Sequence, residues 1–200
     1  MEKASVEMAK AAFDIEAKAL HDTAKAMDWE AFAKAVDLLS RAERIAASGC
    51  GHSGIACRHF AHSMCCIERP ARFLSPSEAV HGATGFLQQG DVLVVASRGG
   101  KTSELLPIID IARKKNAFVI AVTENITSPM AQMSDVALPM KVCREIDRYN
   151  TQGTSSFVAL TAVFDALQVA LMEETGFCGE QFALIHPGGA VGERLNKSQL

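Results

Sequence analysis

The densest group of ligand-holding side chains is Ser97-Arg98-Gly99-Gly100-Lys101-Thr102-Ser103-Glu104, which follows the apolar run Asp91-Val92-Leu93-Val94-Val95-Ala96. A short, β-branched apolar run fits a strand buried on both faces of a parallel sheet, and the spacing beyond it predicts a helix over Thr102 to Lys115. Gly99 and Gly100 let the backbone bend sharply and approach a ligand. Ser97, Thr102 and Ser103 set hydroxyls beside the free N–H groups of that helix start, where the macrodipole favours an anion by about 0.3–2 kcal/mol. Arg98 and Lys101 add charge-assisted hydrogen bonds. The chemistry is capture of a phosphate. The same residues also describe a capped turn with two exposed cations, and this stretch alone leaves both readings open.

A second loop of this kind is Gly49-Cys50-Gly51-His52-Ser53-Gly54, a G-x-G-x-x-G match between a strand and a helix. A nicotinamide site also needs an acid about 20 residues on, to hold the ribose. Here Ala71-Arg72-Phe73-Leu74 ends in Ser75-Pro76 without one, although Arg72 can serve a 2′-phosphate. The better account makes Ser53 a second hydroxyl aimed at the ligand of the Ser97 loop, with both loops at carboxyl ends of parallel strands. His59, His62 and Cys66 fall at i, i+3 and i+7 of the helix that follows, which would let three metal ligands converge. Apolar residues interleave with them and no fourth ligand is near, so packing is the reading and no metal or other cofactor is expected.

The elements that must position these loops alternate regularly. Strands are expected at Ile45–Ser48, Ala71–Leu74, Asp91–Ala96, Phe118–Thr123 and Val136–Met140. Helices are expected from about Ser53 to Cys66, over Thr102 to Lys115, near Ser128–Met133 and from about Thr154 to Glu174, the last stopped by Gly176. This is an α/β fold: a doubly wound, mostly parallel five-stranded sheet with helices on both faces. Ahead of it, Phe13, Ala17, Leu20, Ala24 and Met27 mark one face of a long helix. Asp28 caps a second carrying Trp29, Phe32, Val36 and Leu39. This N-terminal helical hairpin covers either the sheet or a second subunit.

All 200 residues form one domain on this reading, the helical pair over residues 1–40 included. A net charge of −3, with five lysines against eight acids in residues 1–40, carries no nucleic-acid footprint. The start lacks a signal-peptide pattern, and the longest apolar stretch, Phe157 to Met172, is interrupted by Asp165 and Gln168, so no membrane span is expected. The six cysteines sit mostly in apolar patterns, which favours reduced thiols and a cytoplasmic protein.

Taken in order, Gly49 to Gly54, Pro76-Ser77-Glu78-Ala79-Val80-His81-Gly82, Ser97 to Glu104, Gly153-Thr154-Ser155-Ser156 and Gly176 through His186-Pro187-Gly188-Gly189-Ala190-Val191-Gly192 resemble the sugar isomerase (SIS) domain of the arabinose-5-phosphate isomerase family, KpsF/GutQ type. The resemblance implies reversible aldose–ketose isomerisation of a sugar phosphate without a redox cofactor, in a homotetramer whose sites lie between subunits. Glu104, Glu145 and His186 fall on family positions, and His81 precedes a glycine as in the family. The chain departs from the family in carrying His52 for lysine, Gly99 for serine and Ala83 for aspartate. Relatives often continue into paired CBS domains, whereas this chain ends at Leu200 and resembles a stand-alone isomerase domain.

Moving a carbonyl from C1 to C2 through an enediol needs a base for the proton α to the carbonyl, a proton shuttle between the oxygens and help in opening the ring. Glu104 or Glu145 can be the carbon base. His186 can open the ring or move the oxygen proton, and His52 stands where the family has lysine. The expected substrate contacts are Gly51, Ser53, His81 and Ser97 through Ser103. The competing class is a non-catalytic sensor that binds a phosphosugar and reports it to a partner. In regulators the fold is usually fused to a basic helix-turn-helix, for which the acidic residues 1–40 leave no room.

Overall fold

The alternation of short β-branched runs and amphipathic segments folds into one parallel sheet in the order β2-β1-β3-β4-β5. Its strands are β1 (Ile45–Gly49), β2 (Ala71–Phe73), β3 (Val92–Ala96), β4 (Phe118–Thr123) and β5 (Val136–Pro139). This is a computed structural model, and it describes residues 2–197. Side chains alternate across the sheet with the period of two that a pleated strand imposes. Ile45, Ala47, Val92, Val94, Ile120 and Val122 pack into one core, and Ala46, Leu93, Val95, Val119 and Ala121 into the other. Every residue of β1 and β3 is buried, as strands covered on both faces require.

The first core lies beneath α2 (Trp29–Arg41), α3 (Gly51–Cys65) and α7 (Ser155–Thr175). The second lies beneath α5 (Leu106–Lys114) and α6 (Pro129–Gln132). By length and composition α7 can cross a membrane. Leu160, Val163, Phe164, Leu167 and Leu171 are instead buried in the core, and the helix packs on α3, α2 and α1 (Glu2–Ala26). Gly176, at φ +67°, ends it in the left-handed conformation, as the sequence indicated. Asp28 caps α2 by accepting from the Glu30 and Ala31 N–H groups.

Several expectations need correction. The helix expected from Thr102 begins only at Leu106, so Ser97 through Leu105 is one long loop closed by turns. Pro107 in the first helical turn suits that later start. The stripe expected on α1 divides: Phe13 is 77% accessible, whereas Leu20, Ala24 and Met27 border a cleft against Ala162, Val163 and Ala166 of α7, and Ala19 and Thr23 are buried, the Thr23 hydroxyl donating to the Lys141 carbonyl. A period-3.6 stripe states which residues share a face, not which face is covered. Trp29 likewise stays exposed, edge-on to Phe32. Strand β2 stops at Phe73. The stretch after it coils into α4 (Pro76–Ala79) and a 3-10 turn (Ala83–Phe86), while α8 (Gly179–Ile185) and α9 (Gly189–Lys197) follow α7. Cys57 is buried, whereas Cys65, Cys143 and Cys178 are exposed; all of them are free thiols.

Candidate functional site

Strand order reverses between β1 and β3, the place where a doubly wound sheet opens a crevice at its carboxyl edge. Gly49 and Ala96 are register partners there, so the Gly49–Ser53 turn and the Ser97–Leu105 loop leave the sheet side by side. The glycines of the first turn have packing reasons. A Cβ on Gly54 would lie 2.6 Å from the Gly49 carbonyl oxygen, and Gly51 sits at φ +52°. Beside this turn opens a cleft of about 450 Å³, lined by Cys50, Gly51, Arg58, Phe73, Ser75 and Glu104 among others. Ser53 lies in the first turn of α3, half-buried.

The Ser97 loop is closed on itself. Ser97 Oγ lies 2.8 Å from Thr102 Oγ1 and accepts from the Gly100 N–H at 3.2 Å. Gly100 holds φ +64° against Ser128, which leaves no room for a side chain. Lys101, Ser103 and Glu104 face solvent. The Glu104 carboxyl is held below the usual carboxylate range by its own backbone N–H and by the Ser103 hydroxyl, which donates at 2.9 Å.

Arg98 turns away from this rim. Its Nε donates to Glu124 at 2.8 Å, Nη1 to Glu145 at 2.7 Å and Nη2 to the Val142 carbonyl at 3.2 Å. Glu145 is 2% accessible and caps α7 from a distance, since its second oxygen accepts from the Thr154 and Ser156 N–H groups and the Thr154 hydroxyl. Burial pushes its carboxyl up, but the bonds from Ser156 and Thr154 outweigh that and hold it below its ordinary value. Arg98 and Glu145, each expected to face a ligand, are thus paired with one another.

The histidines are dispersed. His52 is exposed and packs against Gly153 of the polar loop before α7, with its ring 6.4 Å from that of Phe157. His81 is exposed beside α4. His186 ends α8, stacked on Phe182 at 3.9 Å between ring centroids, with a buried Nδ1 that has no partner among the described residues. Among the described residues no hydrogen bond or ion pair joins Glu104, Glu145 and His186 to one another.

His59 pairs with Asp165, and His62 with Cys66 at 3.6 Å, and no group of three metal-binding side chains occurs among the described residues. Arg72 lies over the Phe86 ring. Sequence reasoning missed Arg58 and Cys50 as cleft residues. The signal for Arg58 was its spacing of four from Gly54, which puts both on one face of α3.

Residues 38–170 match the SIS domain family. Arabinose 5-phosphate isomerase KdsD of Pseudomonas aeruginosa is 35% identical over 165 residues, 82% of this chain and 51% of the relative, so the chain spans about half the length of the curated relatives it matches. A solved structure of a candidate sugar-phosphate isomerase from Listeria monocytogenes superposes with a TM-score of 0.91 at 40% identity, covering 94% of this chain and 99% of that one. An Escherichia coli CFT073 protein in complex with arabinose 5-phosphate superposes with a TM-score of 0.88 at 26% identity, covering 94% and 100%. With its switch-point cleft, its two glycine-bearing loops and a match over about two-thirds of its length, the chain belongs to the SIS domain family.

Proposed function

We propose that the protein is an aldose–ketose isomerase acting on a sugar phosphate through an enediol. The observation that carries this reading is Glu104, an exposed carboxylate at the end of the hydroxyl-rich Ser97 loop that lines the cleft beside the Gly49–Gly54 turn. The phosphate is taken by Ser53, Thr102 and Ser103 with N–H groups of the Gly99–Thr102 backbone, aided by Lys101 and by the adjacent start of α3. Ser97 shapes that loop from beneath, Gly51 lines the cleft, and His81 is a further substrate contact on this reading, carried over from the family resemblance. Glu104 removes the proton from C2 and returns it to C1, ionised and accessible as the task requires. Glu145 holds the loops together through Arg98 and the start of α7.

His186 and His52 are the groups for ring opening and oxygen proton transfer. The homotetramer implied by the family resemblance is part of this reading: His186 stands on an element distinct from the cleft, so a neighbouring subunit is the route by which it joins a site. Purified protein is to be mixed in deuterated water with pentose and hexose phosphates of the aldose series and followed by proton NMR. Conversion to a ketose phosphate with deuterium entering at the exchanged carbon is the expected result. Saturable binding without conversion or exchange overturns the isomerase and leaves a phosphosugar sensor.

A further inference from the structure

Arg58 is the cation in the cleft's lining. Its guanidinium lies over the Phe73 ring with Cζ 4.0 Å from the centroid, and no hydrogen bond or ion pair engages it among the described residues. Contact with a ring engages the charge of a guanidinium, whereas its five N–H donors lie in the plane. The arrangement therefore fixes the group and leaves its donor edge free for a ligand. Arg98 is the opposite case, with its donors already given to Glu124, Glu145 and the Val142 carbonyl.

We propose that Arg58 contacts the substrate and holds the two oxygens of the enediolate, an assignment that rests on the isomerase reading above. When Glu104 takes the C2 proton, the C–H electron pair becomes the C1–C2 double bond and the carbonyl π pair moves to O1. A proton then passes from the O2 hydroxyl to O1, leaving the negative charge on O2. Return of the proton from Glu104 to C1 restores a carbonyl at C2 and gives the ketose. The charge thus crosses from one oxygen to its neighbour, and a planar fork with parallel N–H donors can face both without giving up a proton. Its place in the same cleft as Glu104 puts donor and base on one ligand. A fixed donor aimed at charge that develops only during reaction lowers the barrier more than it strengthens substrate binding.

The test compares wild type with Arg58→Ala and Arg58→Lys on whichever aldose phosphate wild type converts, after thermal melts establish that each variant is folded. The expected result is a fall in kcat of about 10²–10³-fold in Arg58→Ala, with KM and the dissociation constant for the aldose phosphate changed little. Added guanidinium ion should restore part of the turnover of Arg58→Ala, and a hydroxamate analogue of the enediolate should lose affinity for it. Arg58→Lys, a single point charge, should recover only part of the rate. Unchanged kcat in Arg58→Ala, or a loss confined to affinity for inorganic phosphate and sugar phosphates alike, overturns the assignment while leaving the isomerase intact. A wild type that converts no aldose phosphate it binds overturns the isomerase reading, and this assignment with it.

Discussion

The Arg98 guanidinium donates to Glu145 across 2.7 Å, joining the loop after β3 to the segment that caps α7. The same arginine reaches Glu124, whose other oxygen accepts from the Val142 N–H. One side chain thus ties together the carboxyl ends of β3 and β4 and the chain beyond β5. The Ser97 loop is held from behind, and its outer rim is left open to a ligand.

Breaking that pair should cost stability in a pH-dependent way. Arg98→Ala leaves Glu145, with its side chain 3% accessible, without its cation. The expected loss is about 3 kcal/mol, near the lower end for a buried pair because Arg98 is a third exposed. Glu145 has a depressed carboxyl pKa in the folded protein, so its contribution is full above the ordinary glutamate value and is lost as pH falls through the folded value. The gap in Tm between wild type and Glu145→Gln should be flat from about pH 5 to 8 and shrink below about pH 4.5. A gap independent of pH down to about 3 contradicts this account.

The glycines of the first turn give a packing prediction. Gly54→Ala would drive a Cβ to 2.6 Å from the Gly49 carbonyl oxygen, where both partners are backbone and neither can swing aside. A cost of about 1–3 kcal/mol is expected, lowering Tm by roughly 2–4 °C for each kcal/mol. Gly51→Ala meets nothing within 4 Å and incurs only left-handed strain at φ +52°, about 1–2 kcal/mol. Equal melts for Gly54→Ala and wild type would show that the turn relaxes freely.

The strands and the two loops at their carboxyl ends were legible in the sequence because β-branched runs and glycine turns are local signals, whereas the strand order that sets the switch point was not. Nor were side-chain destinations. Arg98 and Glu145 lie 47 positions apart, and no spacing rule pairs residues across separate βα units. Phe13 keeps the helical period yet faces outward, while Leu20 on the same stripe borders a cleft against α7, since how much of a face is covered depends on where α7 lies. Arg58 was hidden for the converse reason: a single arginine in an apolar helix looks like a solvated charge until the strand that brings Phe73 beneath it is placed.

Ser97 and Thr102 are expected to separate loop shape from ligand grip. Ser97 is 8% accessible and bonded to both Thr102 and the Gly100 N–H, so Ser97→Ala should lower stability by about 1 kcal/mol, a Tm drop of roughly 2–4 °C. Thr102→Ala, at a more open position, should melt closer to wild type while binding sugar phosphates more weakly. Wild-type affinity in the Thr102→Ala protein, by calorimetry with the converted substrate, would remove the loop from the phosphate site.

The two glutamates should part company in exchange experiments. Glu104 is exposed at the cleft and bonded to Ser103 and its own N–H alone, so Glu104→Gln should leave Tm within about 1 °C of wild type. Because amide cannot accept the carbon proton, the same change should abolish deuterium entry at C2 and lower turnover by about 10²–10⁴-fold. Glu145 has both oxygens filled by Arg98, Thr154 and Ser156, leaving no lone pair well placed for a substrate carbon. Glu145→Gln should therefore melt several degrees lower yet keep measurable exchange at temperatures where it remains folded. Proton NMR in deuterated water on both variants decides the matter: exchange that survives in Glu104→Gln and vanishes in folded Glu145→Gln would reverse the assignment and make the buried carboxylate the base.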